Sequence, residues 1–165
     1  GGYDKARTLA EKLFMQFGQS IVVEQYIAAR ELNVSVFQVK RKPKVVAVAE
    51  IDFSAFQGDM FKIVDYDAKW KPETFGYNNT PRKLPAGLSP EVHKQVCDMS
   101  LAAWHALGCR GYARVDFRLD ENDVPYILEV NPNPDISPDA GFAAALDFAG
   151  IAYDQFVWTV INDPM

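Results

Sequence analysis

The chain has 165 residues, 48% of them hydrophobic and 24% charged, and a net charge of −5. That length supports one domain with a sizeable core or two small lobes, and the composition is globular rather than disordered. The acidic balance, with basic residues scattered, gives no nucleic-acid footprint, and no run of about 18 apolar residues exists to cross a membrane. Cys97 and Cys109 are too few for a disulfide framework and read as reduced, packed thiols of a cytosolic protein.

Gly1 and Gly2 lead directly into a helical pattern with no initiator Met, which reads as a piece of something longer or as a cloning scar. Residues 4–17 are expected to be a helix, because Leu9, Leu13 and Phe17 recur every fourth residue and Gly18 is a suitable stop. "IVVEQYIA" at 21–28 reads as a strand, "ELNVSVFQV" at 31–39 alternates as a second, and "KVVAVAEI" at 44–51 is a third after a "KRKPK" turn. Helix and strands together make a small α+β lobe.

Residues 65–88 are rich in Pro, Gly, Asn and charge, and a loop of that length inside a compact domain is usually functional or disordered, rarely a mere connection. Ser89-Pro90 then gives a cap and a first-turn proline for a helix running to Gly108. "RGYARVDFRL" at 110–119 and "PYILEV" at 125–130 read as strands joined by a polar turn. Ser137-Pro138 starts a short helix ending near Gly150, and 153–162 forms the last. His93 and His105 lie in a helix without acidic or Cys partners at metal-ligand spacing and read as structural or surface residues.

The strands at 110–119 and 125–130 carry the chemistry. With Leu119 placed opposite Tyr126, Asp116 falls opposite Glu129 and Arg114 opposite Asn131, all on one face. Ala113, Val115, Phe117, Leu128 and Val130 then turn to the other face. Opposed carboxylates repel, so the pair calls for a neutraliser: a shared proton, Arg114 alone, or a divalent cation. Asp, Glu and Asn oxygens suit Mg²⁺, completed by phosphate and water, better than zinc. The stretch "EVNPNP" at 129–134 also carries two prolines that end the strand abruptly.

These segments, with "VVEQYIAARELNVSV", "DYDAKW", "LPAGLSPEV" and "LGCRGYARVDFRLD", resemble the C-terminal part of an ATP-grasp enzyme, most similarly a D-alanine–D-alanine ligase, through nearly the whole chain. The resemblance implies an α+β ATP-grasp fold of two small lobes with antiparallel sheets and the nucleotide between them. Residues 1–60 would be the end of the small lobe and 61–165 the large lobe. It implies ATP and Mg²⁺, one ion or two, with Asp116, Glu129 and Asn131 as metal ligands and Arg114 stabilising an oxyanion. Glu24, Gln25, Tyr26 and Ile27 would line the adenine pocket, Glu31 would bind the ribose hydroxyls, and Ile63 and Leu128 would pack on the base. Lys69 would reach phosphate from the loop at 65–88, which then acts as a cover.

The implied activity is a carboxylate–amine ligase working through an acyl phosphate, with a small-molecule carboxylate and an amine as partners, no nucleic acid, no membrane, a cytoplasmic location and a homodimer left open. The alternatives are another ATP-grasp ligase, acting on a nucleotide precursor or in biotin-dependent carboxylation, and a non-catalytic nucleotide- or metal-binding module. Two departures stand out. Asp135 and Ala140 occupy positions where the ligase has Gly and an acceptor-binding Ser. The family's phosphate loop and N-terminal substrate domain have no counterpart here, unless Gly1-Gly2 is the tail of that loop, so the isolated piece is expected to be inactive.

Overall fold

The computed structural model describes residues 2–162. Gly1, one half of the suggested phosphate-loop tail, lies outside them. The elements in order are α1 (Gly2–Phe17), β1 (Arg30–Val39), β2 (Lys42–Ile51), α2 (Tyr66–Trp70), α3 (Phe75–Asn78), β3 (Arg82–Lys83), α4 (Pro90–Ala106), β4 (Tyr112–Leu119), β5 (Pro125–Asn131), α5 (Gly141–Phe148) and α6 (Tyr153–Asn162). The five strands form one antiparallel sheet in the order β3-β2-β1-β4-β5.

This sheet bears on the expected division at residue 60. β1 and β2 lie before that boundary and β4 and β5 after it, yet β1 pairs with β4 over eight positions, from Arg30↔Leu119 to Phe37↔Tyr112. The boundary therefore does not separate two sheets. The alternation in "ELNVSVFQV" is what makes β1 a central strand. Leu32, Val34 and Val36 turn to one face, where Val115, Phe117, Val96 and Trp104 complete a buried core beneath α4. Glu31, Asn33, Ser35 and Phe37 turn to the other face, opposite Arg118, Asp116, Arg114 and Tyr112.

The second face is covered at one end by α5 and α6, where Phe37 packs with Phe142, Leu146 and Phe156. Further along it is polar, with Glu31, Ser35, Asp116 and Arg118 buried there and Arg118 bonded to the chain at Ile27 and Lys62. β1 and β2 are joined through Lys40 and Arg41, both left-handed at φ 50° and 62°, the geometry a two-residue hairpin needs.

α4 begins as its sequence indicates. Ser89 Oγ accepts from the backbone N–H of Val92, Pro90 occupies the first turn, and Gly108 follows the end with φ 64°. Three expectations are corrected. Residues 21–28 form no strand, because among the described residues no neighbouring strand accepts their ladder. The stretch 65–88 is partly ordered: Asp65 and Thr74 cap α2 and α3 through Ala68 N and Tyr77 N, and β3 adds a short edge strand. The helix expected from Ser137 starts at Gly141 instead, since Asp135 holds Ser137 in a turn by accepting from both its N–H and its hydroxyl.

Among the described residues no helix is long and apolar enough to cross a membrane.

Candidate active site

The face of the sheet opposite α4 carries a polar stripe across three strands. Asp116 lies opposite Glu129 and Arg114 opposite Asn131, as expected, but the register slips between Asp116 and Phe117. Leu119 pairs with Pro125, not Tyr126, and the slip accommodates Leu128 as the extra residue of a β-bulge. One extra residue reverses a side chain's face. Leu128, which the simple register turned toward the helices and the resemblance put against the base, stands half-exposed at the cleft beside Ile127.

Asp116 is the most engaged acid. Its two oxygens accept from Nε and Nη2 of Arg114, both at 2.7 Å, and Oδ1 also accepts from Asn33 Nδ2 at 2.9 Å. The same Arg114 Nη2 lies 3.9 Å from Glu129 Oε1, so one guanidinium faces both opposed carboxylates. Burial works to lower the Arg114 pKa, but the bond and charge of Asp116, with Glu129 and Glu31 behind them, raise it overall. Glu129 remains half-exposed and available. Asn131 Oδ1 accepts from Asn133 N–H at 2.9 Å, an Asx turn that the following Pro-rich stretch stiffens.

A cleft of about 570 Å³ opens beside this stripe. Its walls bring together Glu24, Gln25, Tyr26 and Ile27 from the extended segment, Glu31 from β1, and Ile63 from the loop after β2. Lys69 of α2, Asp116, Leu128 and Glu129 complete the expected residues that line it. Arg114 and Asn131 do not line the cleft. They sit one pair further along the stripe, joined to it through Asp116.

Sequence reasoning missed Arg118 and Asn33. Arg118 is buried, with its side chain 5% exposed, and ties three cleft walls together. Its Nη1 donates to Glu31 Oε2 at 2.9 Å and to Lys62 O at 2.8 Å, and its Nε donates to Ile27 O at 2.9 Å. Burial pushes the Glu31 carboxyl above its ordinary range, while Arg118 pulls it back. The signal was present in the alternation: Arg118 is two residues from Asp116, and Asn33 two from Glu31, each on the same face.

Among the described residues no group of three or more His, Cys, Asp or Glu could hold a metal alone. The site offers two carboxylates and an amide, a hard oxygen set that leaves coordination positions for phosphate and water, which suits Mg²⁺. His93, exposed on α4, has its Nδ1 3.7 Å from Sγ of Cys97, which packs against the core, and burial raises that thiol's pKa.

A five-stranded antiparallel sheet with an acid-bearing hairpin and a cleft walled by an extended segment is an ATP-grasp architecture, and the comparisons agree. The family described as D-ala D-ala ligase C-terminus matches residues 5–162. The chain is 34% identical over 148 residues to the D-alanine–D-alanine ligase of Caulobacter vibrioides, covering 89% of this chain and 42% of that protein. With the enzyme of Methylobacterium radiotolerans it is 34% identical over 151 residues, covering 89% and 45%. The crystal structure of D-alanine–D-alanine ligase from Bacillus anthracis complexed with ATP superposes with a TM-score of 0.71 at 25% identity, over 97% of this chain and 46% of that one. The chain belongs to the D-alanine–D-alanine ligase C-terminal family, and it spans less than half the length of the curated relatives it matches.

Proposed function

We propose that this chain is the nucleotide-binding and catalytic part of an ATP-dependent carboxylate–amine ligase. The observation that carries the reading is the convergence on one cleft of the 24–27 segment, Glu31, Lys69 and the Asp116/Glu129 pair. An adenine would lie against Tyr26, Ile63 and Leu128, its edge read by the backbone of 24–27. Glu31, which accepts from Arg118 and from the backbone N–H of Val64, would accept from the ribose hydroxyls through its remaining lone pairs.

The triphosphate would then run along the stripe toward Asp116. Glu129, Asp116 and Asn131 would hold Mg²⁺, which when bound neutralises phosphate charge and aligns the transferring groups. Lys69, carried by α2, would bring a positive charge onto the phosphates as the cover settles. Arg114 would meet the negative charge that develops on the acyl carbonyl oxygen when an amine attacks the acyl phosphate, before the tetrahedral species collapses and expels phosphate. Its place is already fixed by two bonds to Asp116, so little reorganisation is required at that moment.

The acceptor is the point of departure from D-alanine. Asp135 is held below the usual carboxylate range by the Ser137 hydroxyl and N–H, so it is an anion where a substrate carboxylate would be unwelcome. Ala140 precedes α5 with no side-chain cap and offers no hydroxyl. An acceptor amine lacking a carboxylate at that position fits better. ADP release by the full-length protein, screened over small carboxylic acids paired with amines, tests the reading. Dependence of ADP release on one acid and one amine supports it, and absence of ATP binding in the unaltered protein overturns it.

A further inference from the structure

Arg118 has more hydrogen-bonding capacity than the protein itself uses. Nε and Nη1 are both satisfied, but Nη2 is buried and has no hydrogen-bond partner among the described residues. An orphaned donor on a buried guanidinium is unusual, because each such group forfeits its water without recompense. In a planar guanidinium Nε and Nη2 share one edge, and the Nε of Arg118 already donates to Ile27 O. The free donor therefore stands beside the 24–27 segment, on a side chain that lines the cleft.

We propose that Arg118 is a nucleotide-binding residue whose Nη2 donates to a ring nitrogen of the purine base. Arg118 is a donor only, so its partner must be an acceptor, and the ring nitrogens at a purine's edge are acceptors. The ring of Tyr26 packs on the guanidinium, with Cζ 5.4 Å from its centre, and is itself partly exposed. On this proposal the ring, whose hydroxyl accepts from Lys62 N–H, moves off the guanidinium as the base enters and so opens Nη2 to it. Arg118 thereby couples base recognition to ribose recognition, since the same guanidinium orients Glu31.

This inference rests on the nucleotide reading above, and its test separates the two. Dissociation constants of ATP, 1-deaza-ATP, 3-deaza-ATP, 7-deaza-ATP and inorganic tripolyphosphate, each with Mg²⁺, are measured by calorimetry on the full-length protein and on Arg118→Met and Arg118→Lys. One deaza analogue should bind the unaltered protein about 10- to 100-fold more weakly than ATP, the range for a hydrogen bond to a charged donor. Arg118→Met should abolish that difference while leaving tripolyphosphate unchanged, and Arg118→Lys should retain part of it.

Equal binding of all three deaza analogues and ATP by the unaltered protein overturns the inference without requiring any variant to fold. A difference that survives in Arg118→Met, or an equal loss for tripolyphosphate, overturns it too. No ATP binding by the unaltered protein sinks the nucleotide reading itself.

Discussion

Replacing Asp116 by Asn sets two electrostatic effects against each other, and the structure indicates which is larger. The substitution removes one of two directly opposed carboxylates, a relief of a few tenths to about 1 kcal/mol. It also strips the Arg114 guanidinium of two charge-assisted bonds at 2.7 Å and sets an amide N–H₂ against donors. Removing one partner of a fully buried ion pair costs about 3–5 kcal/mol. Arg114 is 24% exposed and has Glu129 3.9 Å away, so that figure must be discounted. A net loss of about 2 kcal/mol is expected, read as a lower urea midpoint of the nucleotide-free full-length protein with an unchanged slope. The same variant should raise the Mg²⁺ concentration needed for half-maximal ADP release by at least about tenfold, since a hard cation loses an anionic ligand. If the variant is more stable than the parent, Arg114 does not neutralise the pair. An unmoved Mg²⁺ midpoint refutes the metal role of Asp116.

Arg114→Lys keeps the charge but loses the two-pronged bond to Asp116, so kcat should fall about 10²–10³-fold with little change in the KM for ATP, by steady-state ADP release. Glu31 has a folded-state pKa raised above the ordinary 4.5, so the folded protein holds that proton longer than the unfolded chain. Its contribution to stability therefore falls as pH rises from about 4.5 through the raised value, and Glu31→Gln should flatten the slope of unfolding free energy over that window in urea titrations. Gly76→Ala would place a methyl 2.9 Å from Ala68 Cβ and wedge α3 away from α2. It should raise the KM for ATP through displaced Lys69, and a Lys69→Ala, Gly76→Ala pair should then show much less than additive losses.

The acid pair and its arginine were legible because strand alternation is strict: once 110–119 and 125–130 pair, Asp116 must meet Glu129 within a residue of slip. The bulge that moved Leu128 to the cleft was not legible, since no Gly or other signal in "PYILEV" marks it. The segment 21–28 shows the opposite failure. "IVVEQYIA" has a strand's composition, but a strand exists only where another ladder receives its N–H and C=O groups, and propensity says nothing about that. Its residues nonetheless line the cleft, because Arg118 binds Ile27 O and Tyr26 OH accepts from Lys62 N–H. Side-chain tethers placed that wall where no ladder formed.

Arg118 also explains why the pocket's acid sits as deep as it does. A buried Glu31 without a partner would take up a proton and become a poor acceptor for hydroxyls. A buried arginine without a partner would be costlier still, because it cannot shed its charge. Each is tolerable only beside the other, and both lie on the cleft face because β1 and β4 pair Glu31 directly with Arg118. Two residues further along, on the same face, the same two strands pair Asn33 with Asp116, and two beyond that Ser35 with Arg114. Base, ribose, phosphate and oxyanion functions would thus follow one another at the two-residue repeat of a single strand pair. An insertion of one residue in β1 before Glu31 would leave that order intact. The same insertion between Glu31 and Asn33 would turn Glu31 toward the core and separate the ribose contact from the metal site.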